Sequence, residues 1–402
     1  MPDIVVIGAG QAGSSLVARL RKDGHVGRIT LIGEESAPPY QRPPLSKAYL
    51  LGDLELERLY LRPYHFYGDI DVDLRLGRRV DAIDRAAQVV RMGGETLHYD
   101  ALVLTTGSTP RRLPAAIGGA LEGVHVVRDL ADVDAMEPRF VQGAKVLIVG
   151  GGYIGLEAAA VAAKKGLSVT LVEMSDRILQ RVAAPETSDF FRALHTEHGV
   201  DIREGVGLDR LLGEGHVTGA RLSDGSELAA DFVIVGVGIA PGTALAEAAG
   251  LDIDNGIAVD ALGRTSDPAI WAAGDCASFP YNGGRLRLES VPNAIDMAEC
   301  VACNLMGAGT EYVPQPWFWS DQYDVKLQIA GLNIGYDRVV TRPSAGAHSA
   351  SFWYYSGDTL LAVDAMNDPR AYMVGKRLIE AGKSPSAEAV SDSATELKSL
   401  LA

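Results

Sequence analysis

The sequence predicts an α/β protein, and three observations predict it. The runs IVVIGAGQAG at residues 4–13 and VLIVGGGYIG at residues 146–155 are each a short apolar strand that breaks into Gly-x-Gly-x-x-Gly and continues as a small-residue helix. Each is followed, roughly 20 residues on, by an apolar strand ending in an acid, RITLIGE closing on Glu34 and SVTLVE closing on Glu173. From about Tyr312 the pattern changes to short β-rich runs and one last helix. Together these give two Rossmann-like dinucleotide-binding domains plus an α+β C-terminal domain.

In the first fingerprint the glycines are Gly8, Gly10 and Gly13, and in the second Gly150, Gly152 and Gly155. The first of each set lets the chain turn out of the strand, the second lets backbone approach a pyrophosphate, and the third lets helix and strand pack closely. Free N–H groups at the helix start then face the phosphates. The strand-end acid is placed to grip a ribose 2′-hydroxyl, and a 2′-phosphate would meet a like charge at Glu173, so the second site is expected to take NAD rather than NADP. Arg177 and Arg181, in MSDRILQR, are expected on a solvated helix face rather than on a 2′-phosphate.

Between and beyond the fingerprints come the Pro-rich APPYQRPPLSKAYLLG, the strand of ALVLTTGSTPRRLP at 101–114, the run DFVIVGVGIAPGTALAEAAGL and the strand of DPAIWAAGDCA, which stops at Gly274 and Asp275. Near the C-terminus KLQIAGL, DRVVTR, SASFWYY and LLAVDAMN read as strands, with SGDT at 356–359 as a hairpin turn between the last two, and PRAYMVGKRLIEAG as the closing helix. The polar last fifteen or so residues are expected to be loosely held.

Composition excludes several classes. A formal net charge of −15 argues against a nucleic-acid partner, because such binding is built on phosphate neutralisation. No window approaches 18 uninterrupted apolar residues, so no membrane span is expected. The first strand begins at Ile4, which leaves no room for a signal peptide, and the expectation is a cytoplasmic protein. Three cysteines are too few for an iron–sulfur cluster of the chain's own. Cys300 and Cys303 form CVAC within NAIDMAECVACNLMG, where they read as small apolar residues of one helix rather than a redox pair. His195 and His198 share a helix face without an acidic or thiol partner, so they are expected at the surface, and no metal site is expected.

TTGSTP at 105–110 and WAAGDC at 271–276, with the two fingerprints, resemble the two-dinucleotide flavoprotein reductases related to glutathione reductase. Within that group PPLSKAYL (43–50), VGGGYIGLEAAA (149–160), RLESVPNAIDMA (287–298) and PWFWSDQYDVKLQIAGL (316–332) are similar to the NADH-dependent ferredoxin reductases that serve bacterial cytochromes P450 and ring-hydroxylating dioxygenases. The resemblance runs from Ile4 to the final helix. It implies an FAD-binding domain in two parts, 1–109 and 238–310, an NAD-binding domain at 110–237, and a C-terminal domain at 311–402. PPLSK carries no cysteine where the thiol-using branch has one.

For FAD the resemblance implies Gly8, Ala9, Gly10, Ala12 and Gly13 along the pyrophosphate, Glu34 at the adenosine ribose, Val80 near the adenine and Arg128 near the phosphates. It places Lys47 by the flavin ring, Asp275 at the ribityl region, the Val291 backbone at the pyrimidine edge and Trp319 over the flavin rim; Trp317 reads as packing. For NAD it implies Gly150, Gly152, Ile154, Gly155, Glu157, Glu173 and Gly238. Lys47, Glu157 and Trp319 are the residues it puts closest to the chemistry, with Glu157 pairing Lys47.

The expected activity is then electron transfer from NADH through FAD to a 2Fe–2S ferredoxin, and through it to a cytochrome P450 or dioxygenase. The flavin converts a two-electron donor into single electrons. Two other classes stay open: a flavoenzyme reducing a small acceptor (a quinone, oxygen, or a dithiol through Cys300 and Cys303), and a redox-sensing signalling flavoprotein. Arg285, Arg287, Lys326 and Arg338 are the candidate basic residues for docking an acidic ferredoxin.

Overall fold

The two apolar runs that precede the fingerprints, Ile4–Ile7 and Lys145–Val149, become the central strands of two five-stranded parallel sheets. Runs apolar on both faces need cover on both faces, which is the requirement of a parallel sheet. The computed structural model describes residues 1–344 and 346–401, and these divide into two compact units.

The first unit comprises Met1–Gln41, Glu55–Thr109 and Ile239–Pro316. Its parallel sheet runs in the order Ile270–Ala272, Ala101–Leu104, Ile4–Ile7, Ile29–Ile32, Val72–Arg75. Chain order reverses on either side of Ile4–Ile7, so the crevice at that strand's C-terminal end is a topological switch point, where ligands of open α/β sheets bind. Helices Gln11–Lys22 and Val291–Leu305 lie against each other over the buried face, and Leu16, Leu20, Met297 and Val301 join the sheet residues in one core. Arg19, Arg21 and Lys22 in the last turn of Gln11–Lys22 oppose the negative end of its dipole.

The second unit comprises Arg42–Leu54, Pro110–Gly238 and Trp317–Ala402. Its parallel sheet runs Asp201–Glu204, Ser168–Glu173, Lys145–Val149, Phe232–Val235, Val124–His125. The C-terminal part is a five-stranded antiparallel sheet in the order Trp317–Gln322, Val325–Gly331, Thr359–Met366, Ala350–Ser356, Arg338–Pro343. The hairpin at SGDT forms as its turn chemistry requires, Gly357 taking φ +56° at the first loop position.

Helix Pro185–Glu197 is joined to this sheet by a buried polar knot. Asp364, 1% exposed, accepts hydrogen bonds from Thr187 Oγ1 (2.7 Å) and Tyr354 Oη (2.5 Å), and the same tyrosine oxygen accepts from the Ala184 N–H (3.0 Å). Burial pushes the Asp364 carboxyl up to about 6. The C-terminal tail is not loosely held. The buried Arg342 donates to the carbonyls of Val390, Asp392 and Thr395, and Val390 is itself fully buried. Among the described residues no helix is long and apolar enough to cross a membrane.

Candidate functional site

Each fingerprint folds into an open glycine cradle. Gly8 (φ +114°) and Gly150 (φ +107°) are closed off by backbone: a Cβ would lie 2.1 Å from the Thr105 carbonyl oxygen at the first and 2.4 Å from that of Gly236 at the second. At Gly13 and Gly155 a Cβ would strike the carbonyl of Gly8 (2.2 Å) and of Gly150 (2.1 Å), the close helix–strand approach expected of the third glycine. Gly10 and Gly152 are different. A Cβ there would meet nothing within 4 Å, and both residues stand as helix N-caps with no side-chain cap and no acid in the first turn. The helix starts thus carry no side-chain cap and have open space beside the N-cap glycine, a geometry suited to a pyrophosphate.

The acids sit differently in the two copies. By strand register Ile7 pairs with Ile32 and Val149 with Val172, so the residue corresponding to Glu173 in the first copy is Gly33, with Glu34 one place further. The glycine loops compensate. A Cβ at Gly33 would lie 2.7 Å from the Ala9 Cβ, whereas Gly151, which stands where Ala9 does, leaves room beside the Glu173 Cβ. Glu173 accepts from the Gly151 N–H (2.7 Å) and the Ser175 N–H (2.8 Å), one on each oxygen, which leaves lone pairs for two ribose hydroxyls. Glu34 is exposed, 3.4 Å from Arg79.

Other expected residues of the first unit cluster at the same sheet edge. Thr105 Oγ1 donates to the Gly8 carbonyl (2.8 Å), and Ser108 Oγ donates to Asp275 (3.1 Å), so TTGSTP ties the cradle to AGDC. Gly274 (φ +82°) would place a Cβ 3.1 Å from that of Ala12. In helix Val291–Leu305 the Asn293 N–H goes to Ser290 Oγ, the Ala294 N–H goes to the Ser290 carbonyl, and Pro292 has none. Val291 is the first residue of that helix, ahead of Pro292. Val80 is buried within the core of the unit.

In the second unit the exposed apolar side chains Ile154, Met174 and Val237 follow the C-terminal ends of the parallel strands, and Gly238 takes φ +96°. Arg128 lies beside the capping box of helix Leu130–Met136, its N–H on Asp132 and its carbonyl accepting from Arg42. Arg177 is not on a helix face: the chain turns after Glu173, and the guanidinium is held by Ser188 Oγ (2.6 Å) and the Ala183 carbonyl (2.8 Å). Arg181 is exposed.

Glu157, 2% exposed on helix Tyr153–Lys164, is the centre of a charged network. Its Oε2 lies 2.6 Å from Lys47 Nζ and accepts from Ser46 Oγ (2.5 Å), while Oε1 accepts from Ser320 Oγ (2.6 Å). Lys47 also donates to the Pro43 carbonyl (3.2 Å). A buried carboxylate needs this level of satisfaction. Strand alternation in WFWSDQ puts Ser320 and Gln322 on one face and Trp317 and Trp319 on the other, where the indoles stack at 5.5 Å and Lys376 lies over the Trp317 ring. Sequence reasoning does not pick out Ser46, Ser320, Gln322 or His195 as residues of this site. A signal is present for two of them, since Ser320 and Gln322 are polar at period two inside a strand that opens on three aromatic residues.

Further expectations change at the histidines and the docking arginines. His195 is fully buried, held by Gln322 (2.8 Å) and Tyr323 (3.2 Å), and burial pushes it down to about 4; of the two histidines only His198 is exposed. Cys300 and Cys303 lie half-buried on the one helix Val291–Leu305. Their Sγ atoms lie 3.5 Å from the Thr310 carbonyl and 3.6 Å from Asp23, and burial pushes both thiols up, away from the reactive thiolate. Arg285 and Arg287 are not free cations: Arg285 binds the carbonyls of Val259 and Ser278, and Arg287, its side chain largely buried, pairs with Glu289 at 2.6 Å. Lys326 and Arg338 are exposed. Among the described residues no group of three or more His, Cys, Asp or Glu side chains could hold a metal ion.

Two open cradles, each at the switch point of its own parallel sheet, define a protein that handles two dinucleotides. The chain belongs to the pyridine nucleotide-disulphide oxidoreductase family, whose model matches residues 2–298, and a reductase C-terminal model matches residues 317–401. It is 42% identical to rhodocoxin reductase of Rhodococcus erythropolis, over 99% of this chain and 94% of that protein. It is 40% identical to putidaredoxin reductase CamA of Pseudomonas putida, over 100% of this chain and 97% of the relative. The reductase in the crystal structure of the covalent putidaredoxin reductase–putidaredoxin complex superposes with a TM-score of 0.96 at 40% identity, covering 100% of this chain and 98% of that one.

Proposed function

We propose that this chain is an FAD-dependent NADH:ferredoxin oxidoreductase that passes single electrons to a 2Fe–2S ferredoxin supplying a cytochrome P450 or a ring-hydroxylating oxygenase. The observation that carries it is the pair of glycine cradles, open at Gly10 and Gly152 where any side chain would enter the ligand's space. The relatives supply the direction of transfer: rhodocoxin reductase, putidaredoxin reductase and the ferredoxin–NAD(+) reductase component of the anthranilate 1,2-dioxygenase system of Burkholderia cepacia all match nearly the whole chain.

The residues fit the two cofactors. We assign 1–109 and 238–310 to FAD, 110–237 to NADH and 311–402 to the C-terminal domain. In the FAD part Gly8, Ala9, Gly10, Ala12 and Gly13 form the phosphate cradle, Glu34 and Val80 take the adenosine end, and Asp275 and the Val291 N–H take the ribityl and pyrimidine end, with Arg128 assigned to the phosphates. In the NADH part Gly150, Gly152, Ile154, Gly155 and Gly238 line the phosphates and nicotinamide arm, and Glu173 takes the ribose. Bound FAD supplies the conversion between a two-electron donor and a one-electron acceptor.

The protein's own contribution is position and charge. Lys47, fixed by Glu157, is the cation we assign to the flavin ring, where it would favour the anionic reduced form, and Trp319 is assigned to the flavin rim. Arg177 has its guanidinium engaged by Ser188 and Ala183, which supports NADH over NADPH. We place the protein in the cytoplasm, where NADH and reduced ferredoxins are available; cell fractionation is the check.

The test is stoichiometric. The yellow protein is given NADH and then cytochrome c, with and without a 2Fe–2S ferredoxin. Cytochrome c reduction that depends strongly on the ferredoxin is expected, and equal rates without it would refute the assignment.

A further inference from the structure

Glu157 lies at one end of a chain of buried polar groups that continues past the residues assigned above. Ser320, fully buried, donates to Glu157, and Gln322 Nε2 donates to Ser320 Oγ (3.1 Å). Gln322 Oε1 lies 2.8 Å from His195 Nε2, and Tyr323 Oη lies 3.2 Å from His195 Nδ1. Tyr323 then stacks on the exposed His198, ring centroids 3.6 Å apart. Gln322 is 1% exposed and His195 fully buried.

Donor and acceptor capacity orients every link. An ionised carboxylate only accepts, so the single Ser320 proton goes to Glu157. Ser320 must then accept, which fixes the Gln322 amide with its NH2 toward Ser320 and its carbonyl toward His195. The imidazole, neutral because burial pushes it down to about 4, must therefore carry its proton on Nε2, and its free Nδ1 accepts the Tyr323 phenol. A neutral histidine offers one donor and one acceptor, and here both are committed in one sense. Gln322 carries no titratable proton, so the chain is a scaffold rather than a proton wire.

We propose that His195 is a positioning residue for Glu157: through Gln322 and Ser320 it holds the Glu157 carboxylate, and with it Lys47, in the one arrangement the cofactor requires. The inference rests on the assignment of Lys47 and Glu157 to the flavin and nicotinamide rings. It gives a buried histidine a role that burial alone would not require: a leucine could fill the space, but it could not donate to Gln322.

The test uses the FAD-loaded full chain. In His195→Phe the imidazole donor is lost and the ring volume kept; His195→Gln restores an N–H donor. Stopped-flow flavin reduction by NADH should slow about 10-fold to 100-fold in His195→Phe, with KM for NADH little changed, and recover in His195→Gln. A second readout is independent of turnover. In 15N-histidine-labelled protein one imidazole, absent from the His195→Phe spectrum, should stay in the neutral Nε2–H form from pH 5 to 8, and its shifts should change in Glu157→Gln. If His195→Phe loses FAD, Gln322→Met breaks the same chain one link nearer Glu157 and takes its place.

Normal reduction kinetics in a folded, FAD-loaded His195→Phe, beside slow kinetics in Lys47→Met, would overturn the inference and leave the assignment of the pair intact. Normal kinetics in Lys47→Met would overturn that assignment itself. An Nδ1–H tautomer, or an imidazole that titrates with the exposed histidines, would also refute the orientation argued above.

Discussion

Replacing Asp364 with Asn should make the protein relatively more stable in alkali and relatively less stable in acid. In the fold the carboxyl is pushed from 3.8 up to about 6 by burial, against the lowering effect of Tyr354 and Thr187. The folded state thus binds this proton more tightly than the unfolded chain does. The resulting stabilisation is fully present below about pH 3.8 and is lost as pH rises through about 6. At roughly 1.4 kcal/mol per pH unit the interval corresponds to about 3 kcal/mol. His195 acts in the opposite sense: its pKa falls from 6.5 to about 4, so its contribution is lost as pH drops through that window. In the native protein the two slopes offset each other. The Asp364→Asn variant keeps only the histidine slope. Urea unfolding followed by tryptophan fluorescence, with Trp353 fully buried in the same sheet, measures this at pH 4, 5, 6, 7 and 8. The stability difference, variant minus native, should rise by about 2.5 kcal/mol across that range, most of it between pH 4 and 6.5. Parallel profiles would mean that Asp364 titrates normally and that the Thr187–Tyr354–Asp364 knot is not sealed from water.

The two kinds of cradle glycine should respond differently to substitution. Gly152→Val should fold and stay soluble yet lose NADH binding by calorimetry, because its Cβ meets only open space, whereas Gly150→Val should fail to fold, with a backbone oxygen 2.4 Å from the new Cβ. Equal thermal stabilities for the two would refute the distinction. Glu173→Ala should lower kcat/KM for NADH about 10-fold to 100-fold, by losing two hydroxyl bonds to a charged acceptor, and should narrow the preference over NADPH; a native protein that prefers NADPH would refute the site. Cys300→Ser combined with Cys303→Ser should leave NADH oxidation and electron transfer to ferredoxin intact, since both thiols are raised by burial. Turnover abolished with flavin retained would instead assign the thiols a redox role.

The parallel sheets, the two cradles and the C-terminal hairpin were legible because their information is local. A glycine triplet, an apolar run and a strand-end acid lie within about 30 residues of one another, as a βαβ unit requires. What escaped was built by long-range packing. Ser46 and Glu157 meet across 111 residues of chain, Ser320 and Glu157 across 163, and His195 and Gln322 across 127. No periodicity in the helix PETSDFFRALHTE distinguishes a buried His195 from an exposed one until the strand WFWSDQ is laid against it. The same holds for Arg177, Arg285 and Arg287: a sequence shows a cation, but whether carbonyls and carboxylates nearby have already claimed it depends on the fold.

The exchange of small residues between the two copies has a consequence for how either can change. In one copy the loop carries Ala9 against Gly33, and in the other Gly151 against Glu173, so bulk sits on one partner of each pair and never on both. In the first copy, any path that puts a side chain at position 33 must pass through a state with glycine on both sides. Gly33→Glu alone drives a side chain into Ala9, and Gly151→Ala alone meets Ile178 at 2.6 Å. Positions 9 and 33 are therefore epistatic: Gly33→Glu should be tolerated only after Ala9→Gly, and the order of substitution, not merely the set, decides whether a working cradle survives each step.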